Sequence, residues 1–449
     1  MPRPPKSILV PALFAGTFLG LAGGYARAAE PAPTPPPANW WDTFTVGGTV
    51  EAGVTLNGDN PADGLNFGHL FTDKANTPVL NQILLTAQRP LDPKATDYDF
   101  GFKVQLMYGS DARYTHFLGE ADYALNELNQ FDVVEAWATA HLPWLFSGGI
   151  DIKAGQYVTL EGAEVIDPTG DYLYSHSYIF NFGIPFKHTG IMTISHVDPL
   201  VDIYAGVDTG VNTTFGNHLG DNNGGAAFHG GIGLNLLDGN LTILATTHIG
   251  PENADTNGTN NTIDIITACG CNPNNALRYL NDITTTWKIN DSWTLINDLN
   301  YIRDDGFKAT GYGIAQYAVY TVNDWLKIVG RAEVWRDNNN FFVAAFPGNF
   351  DFVNAEHGFI NTAIPGGPAG GGTTYFEITG GLNLAPALPQ GFPVLKSITF
   401  RPEVRYDASL NNTTPFDGQS VPGGRHFAGF GAGTKSSQFT FGGDLIAKF

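Results

Sequence analysis

The chain has 449 residues, of which only 15% are charged, against roughly 25% in an ordinary soluble domain. Its 43 acids oppose 23 bases, which excludes nucleic-acid binding through a basic face. With 55 glycines and 12% aromatics it suits twisted strands and loops better than helices. A mean hydropathy of −0.09 excludes a bundle of membrane helices, each needing about 20 consecutive apolar residues.

Residues 1–28 have the layout of a secretory signal peptide. Arg3 and Lys6 give a positive start, an apolar run spans Ile8 to Leu21, and Ala26-Arg27-Ala28 supplies an A-x-A cleavage site. Pro11 and interspersed glycines make the run short and weak as a membrane anchor. Its removal takes away Arg3, Lys6 and Arg27 and no acid, so the net charge moves from −20 to −23. Residues 29–42 follow as a Pro-rich periplasmic leader, stiff and extended through Pro31–Pro37. The remainder, 43–449, reads as one domain.

That domain repeats one kind of segment. In Phe44–Leu56 the even positions are apolar or Gly, and the odd ones are Thr, Gly and Glu. A strand sends alternate side chains to opposite faces, so this segment has a dry face and a wet one. The split recurs with Phe100, Phe102, Val104, Leu106 and Tyr108 against Gly101, Lys103 and Gln105. It recurs with Phe376, Ile378, Leu382 and Leu384 against Tyr375, Glu377, Thr379 and Asn383. Sixteen such segments are expected, near 43–57, 79–89, 98–110, 131–142, 150–158, 188–197, 200–209, 228–237, 240–249, 281–290, 293–303, 311–322, 325–336, 373–384, 395–408 and 435–449.

Their connections alternate long and short. Asp198-Pro199, Asp238-Gly239, Asn290-Asp291-Ser292 and Asn323-Asp324 have tight-turn chemistry, while 58–78, 111–130, 159–187, 210–227, 250–280, 337–372 and 409–434 are long. The brief 304–310 is the exception on the long side. A soluble sandwich has no reason to segregate loop lengths, whereas an outer-membrane barrel puts short turns on the periplasmic side and long loops outside. Trp144, Trp287, Trp293 and Trp325 flank short connections, as a periplasmic interfacial girdle would. The expected fold is all-β, a transmembrane antiparallel up-and-down barrel of about sixteen strands. Its dry face meets outer-membrane lipid, because closure satisfies every backbone group internally.

The last segment carries the most specific local signal. Phe439, Phe441, Leu445, Ala447 and Phe449 share one face, and Thr440, Asp444 and Lys448 the other. An amphipathic strand closed by the aromatic Phe449 resembles the signal that the barrel-assembly machinery reads, which makes that machinery an expected partner.

A family resemblance rests on Leu160-Glu161-Gly162-Ala163-Glu164-Val165, Tyr174-Ser175-His176-Ser177-Tyr178-Ile179-Phe180 and Pro185-Phe186-Lys187-His188-Thr189-Gly190, preceded by Ile150-Asp151-Ile152-Lys153-Ala154-Gly155-Gln156. These stretches resemble the outer-membrane β-barrel porin-2 family of Gram-negative bacteria. The motif region covers only residues near 150–190, while the barrel organisation extends the likeness over most of the domain. The resemblance implies a channel more firmly than it implies a solute.

Sixteen strands enclose a lumen wide enough for water, so function turns on inward charges. Alternation assigns Lys327, Arg331 and Glu333 to the lumen on one strand and Arg401, Glu403 and Arg405 on another, with Lys103, Glu135, Asp151 and Lys153 earlier. A one-residue register shift would reverse each strand's assignment. In general porins the loop after the fifth strand folds in and narrows the pore, and the resemblance implies the same for 159–187. Its acids Glu161, Glu164, Asp167 and Asp171 would then face the basic wall residues Lys327, Arg331, Arg401 and Arg405 across a constriction, and rings of charge set ion preference. An ordinary surface loop is the alternative.

Other chemistry is sparse. Cys269 and Cys271 lie in an exported loop where oxidation is permitted, and read as a local clip. The eleven His lack H-x-x-x-H spacing, so no metal site and no cofactor is expected. Ser175-His176-Ser177 has no nucleophile elbow around it, so no catalytic residue is assigned. The run Gly366–Gly372 lacks the Lys and Ser/Thr of a phosphate cradle. The expected function is passive diffusion of small hydrophilic solutes or ions across the cell outer membrane. Lipopolysaccharide is an expected neighbour, and a homotrimer follows by analogy with general porins. The alternative is a structural or adhesive barrel whose loops bind partners and whose lumen is closed.

Overall fold

In a computed structural model of the chain, the described residues are 40–92, 95–117, 120, 128–216, 220–221, 223–253, 271–343, 372–389, 394–419 and 433–449. The expected signal peptide, residues 29–39 of the leader, Cys269 and residues 366–371 lie outside them. Cys271 is disulfide-bonded.

The strands are β1 (Thr45–Asn57), β2 (Val79–Arg89), β3 (Asp99–Gly109), β4 (Gln130–Leu142), β5 (Ile150–Val158), β6 (Lys187–Asp198), β7 (Val201–Asp208), β8 (Ala227–Leu236), β9 (Leu241–Pro251), β10 (Leu277–Lys288), β11 (Trp293–Asp304), β12 (Ala309–Asn323), β13 (Leu326–Asp337), β14 (Thr373–Leu384), β15 (Ser397–Ser409), β16 (Phe416–Gly418), β17 (Gly433–Lys435) and β18 (Ser437–Lys448). Sixteen of them form a closed antiparallel barrel in which each pairs with its sequence neighbours, and β1 pairs with β18 to shut the seam. The short β16 and β17 make a separate ribbon inside the last loop. Closure leaves no strand edge unpaired, the condition for a sheet to cross lipid.

The alternation in sequence becomes an inside and an outside. On β3, Phe100, Val104 and Tyr108 are exposed while Gln105 and Met107 are buried. On β18, Phe439, Phe441 and Leu445 are exposed while Thr440 and Asp444 are buried. Phe449 is partly exposed and its backbone N–H donates to the Gly48 carbonyl at 2.8 Å, extending the seam to the turn end. Trp144, Trp287, Trp293 and Trp325 are exposed beside short turns, with the Trp293 and Tyr320 rings 4.8 Å apart.

The turns close as their side chains dictate. Asn290 accepts from the amides of Ser292 and Trp293, both at 2.9 Å, and Asn323 accepts from Trp325 and Leu326, both at 3.0 Å. Asp198 does the same for Leu200 and Val201. Each side chain replaces a missing backbone acceptor, which lets two strands reverse in a few residues.

Two departures from simple alternation have local causes. In β4 the pairing shifts between Gln105 and Leu106 of β3, so Val134 is an extra residue and Asp132, Val134 and Glu135 are all buried. A bulge of this kind re-aims side chains that strict alternation places on opposite faces. β10 begins at Leu277, ahead of the expected 281, because Leu280 points inward and Asn281 outward, which hides the strand's polarity.

Candidate functional site in the barrel lumen

The 159–186 connection between β5 and β6 lies inside the barrel. Two acidic wall residues each hold it with both carboxylate oxygens. Glu403 on β15 accepts from the amides of Tyr174 (2.9 Å) and Ser175 (3.1 Å), and Glu333 on β13 accepts from Tyr178 (2.6 Å) and Ile179 (2.8 Å). Farther round the wall, Asp282 on β10 accepts from Gly162 and Asp298 on β11 from Ala163, at 3.1 and 2.9 Å. Gln82 donates to the Ile166 carbonyl at 2.8 Å, and the Tyr174 hydroxyl donates to Asn81 at 3.0 Å. Loop amides thus exchange water for carboxylates, and hydrogen bonds to charged groups are the stronger kind. The fit is close enough to require glycine: a Cβ on Gly53 of β1 would sit 2.5 Å from the Tyr174 ring.

The basic wall residues meet this loop by direct contact. Arg331, fully buried, donates to Glu164 and to Glu377, both at 2.6 Å, and to the Ser175 carbonyl at 2.6 Å. Arg401 pairs with Asp444 at 2.5 Å and Glu51 at 3.0 Å, and spends its remaining donors on the Pro168 and Asp171 carbonyls. Arg405 pairs with Asp407 at 2.7 Å and donates to the His176 carbonyl at 2.5 Å. Lys327 lies over the Tyr172 ring, 5.2 Å from its centre. Glu164 and Arg331 therefore touch, and do not face each other across open water.

The other loop acids serve different ends. Asp167 caps the turn Pro168–Gly170 by accepting from the Thr169 amide, and Asp171 accepts from the Val165 amide. Glu161 is buried and neither of its oxygens has a hydrogen-bond partner among the described residues. Burial pushes its carboxyl up to about 8, with Asp282 pushing the same way, so the group is mostly neutral at pH 7.

Beneath the loop, toward the turn end, is a cavity of about 460 Å³. Glu161, Glu164 and Asp167 form part of its roof, and Lys103, Glu135 and Lys396 are in its wall. Lys103 and Glu135 form an ion pair. On the loop-end side the lumen holds an apolar core that alternation does not foretell. Phe67, Leu70 and Phe71 from the first loop and Tyr114 from the short helix α1 (Ala112–Thr115) pack with Phe180 and Phe186. Phe71 sits 5.5 Å from the rings of both Tyr114 and Phe180.

Alternation placed Lys327, Arg331, Glu333, Arg401, Glu403 and Arg405 on the inner face. It gave no role to Glu333 and Glu403 as loop anchors, nor to Glu51, Asp282, Asp298, Glu377 and Asp444. Their signal was present as acids recurring at inward positions, but their partners lie about 40 to 350 residues away in sequence.

Residues 43–449 match the family model described as "Putative beta-barrel porin-2, OmpL-like". No curated protein matches the chain. Among solved structures, the fold is similar to the outer membrane channel DcaP of Acinetobacter baumannii, at 12% identity and a TM-score of 0.51, with 90% of this chain and 96% of that one covered. It is similar to OprB of Pseudomonas putida at 13% identity and a TM-score of 0.50, covering 91% and 94%. The anion-selective porin from Comamonas acidovorans aligns at 9% identity and 0.50, covering 90% and 99%. At these identities the likeness is one of fold.

Proposed function

Because the chain belongs to the beta-barrel porin-2, OmpL-like family, we propose that it is a non-enzymatic outer-membrane channel for small hydrophilic solutes or ions. The observation that carries this reading is the 159–186 loop, tied across a sixteen-strand lumen by wall carboxylates and arginines, with a cavity of mixed polar and apolar lining beneath it. In this reading the loop sets the size of the passage. Because Arg331 and Arg401 are neutralised by direct partners, and Lys103 by Glu135, selectivity falls to the other charged groups lining the cavity, Asp167 and Lys396 among them. Liposomes carrying the protein are expected to swell in isotonic amino acids and monosaccharides and to respond much less to oligosaccharides. Equal rates for all sizes would remove the loop from its role.

A second reading has one observation in its favour. The apolar packing of Phe67, Phe71, Tyr114, Phe180 and Phe186 on the loop-end side suits a closed lumen, as in a structural or adhesive barrel. Folded protein in liposomes that swell in no solute would favour that reading.

A further inference from the structure

Four strands bring three histidines and a carboxylate to one point on the inner wall at the loop end. His188 is the second residue of β6, Asp208 the last of β7, His229 the third of β8, and His248 lies near the end of β9. His229 stands directly opposite His248 in the β8–β9 pairing, and opposed residues on one face hold their side chains within contact. Asp208 and His188 are displaced by two residues on the neighbouring strands, on the same face. The His188 ring centre is 4.5 Å from that of His229 and 4.7 Å from that of His248. All four side chains are buried.

The hydrogen bonds around this group are lopsided. Asp208 Oδ1 accepts from His248 Nε2 and from the Gly210 amide, both at 2.9 Å. Asp208 Oδ2 has no hydrogen-bond partner among the described residues, and lies 3.4 Å from His188 Nδ1 and 3.8 Å from His229 Nδ1. His229, wholly buried, has no hydrogen-bond partner on either ring nitrogen among the described residues. His188 Nε2 is 3.1 Å from Thr159 Oγ1. The Gly210 carbonyl accepts from His188 Nδ1 at 3.3 Å, and the proton moves to Nε2, facing Thr159, when Nδ1 takes up a ligand. Buried polar atoms normally have partners, so Asp208 Oδ2 and His229 Nδ1, both unpartnered and 3.8 Å apart, indicate a missing one between them.

We propose that His188, His229 and Asp208 bind a late first-row divalent cation of the zinc class. One donor atom from each lies within 4.8 Å of the others. Around an ion with bonds of about 2.0–2.2 Å the donors would be roughly 3.3–3.5 Å apart, so a modest contraction completes the site. Nitrogen and carboxylate donors suit zinc, copper or nickel and not the all-oxygen preferences of magnesium or calcium. His248, holding Asp208 Oδ1, and Thr159, holding the far nitrogen of His188, supply the outer contacts that orient metal ligands. The ligands recur roughly every twenty residues, one strand and connection apart, which is why a search for local His spacing passes over them.

The test uses the untagged chain, refolded in detergent, stripped with a chelator and titrated calorimetrically with Zn²⁺ alone. About one ion per chain at micromolar or tighter affinity is expected, with magnesium in excess failing to compete. His229→Gln and Asp208→Asn, each checked for an intact barrel by heat-modifiable gel mobility, are each expected to lower the affinity about 10-fold or more. Wild-type protein that takes up no zinc overturns the proposal without reference to any variant. So does zinc binding that survives both substitutions unchanged.

Discussion

Replacing Arg331 by alanine is expected to cost about 3–5 kcal/mol, the usual loss when one partner of a buried ion pair is removed. Arg331 is fully buried between Glu164 of the inserted loop and Glu377 of β14, and it also holds the Ser175 carbonyl. Alanine leaves two buried carboxylates without their cation, and the loop loses the bond that brings its middle to the wall. The temperature at which the barrel loses its folded gel mobility is expected to fall clearly. A triple variant, Arg331→Met with Glu164→Gln and Glu377→Gln, is expected to recover most of the loss. Replacing a whole buried ion network by groups of similar volume is often close to neutral. A melting temperature unmoved by Arg331→Ala would mean that the loop is not held by this pair.

The second large effect is on the outer face. Ile283 is exposed near the middle of β10, beside Ala245 and Leu299 of its neighbours. Ile283→Arg is expected to cost about 2–4 kcal/mol, the depth-dependent cost of a cation on a lipid-facing barrel position at the midplane. Thr284, the next residue, faces the cavity beneath the loop. Thr284→Arg is expected to cost far less, since its charge reaches water. Folding titrations into lipid vesicles compare the two directly. Equal costs would contradict the assignment of inside and outside on that strand.

Much of this assignment could be read from the amino-acid sequence, because a period of two leaves little freedom. Phe439, Phe441 and Leu445 against Thr440 and Asp444 admit one arrangement in a closed sheet, and Asn290 and Asn323 mark their turns by side-chain chemistry alone. The bulge at Val134 was not readable, since a single extra residue changes no composition. The site was legible in its membership and not in its geometry. Glu164 and Arg331 both stood out as charges, but whether they span a gap or touch depends on a loop path set by Glu333 and Glu403 gripping four backbone amides. Backbone amides carry no mark in sequence. The apolar core of Phe67, Phe71 and Phe180 was hidden for another reason: apolar residues in long loops give no period, and only their packing within the lumen explains them. The histidine cluster stayed invisible because its members sit one per strand.

The central claim is that the 159–186 loop, held in the lumen, sets the passage through the barrel. It is tested most directly by single-channel recording in planar lipid bilayers, comparing the wild-type chain with a variant in which residues 163–178 are replaced by a short Gly-Ser link. Discrete openings of low conductance are expected for the wild type, and steps several-fold larger for the variant. Equal conductance in the two, or silence in both while each remains a folded barrel, would contradict it.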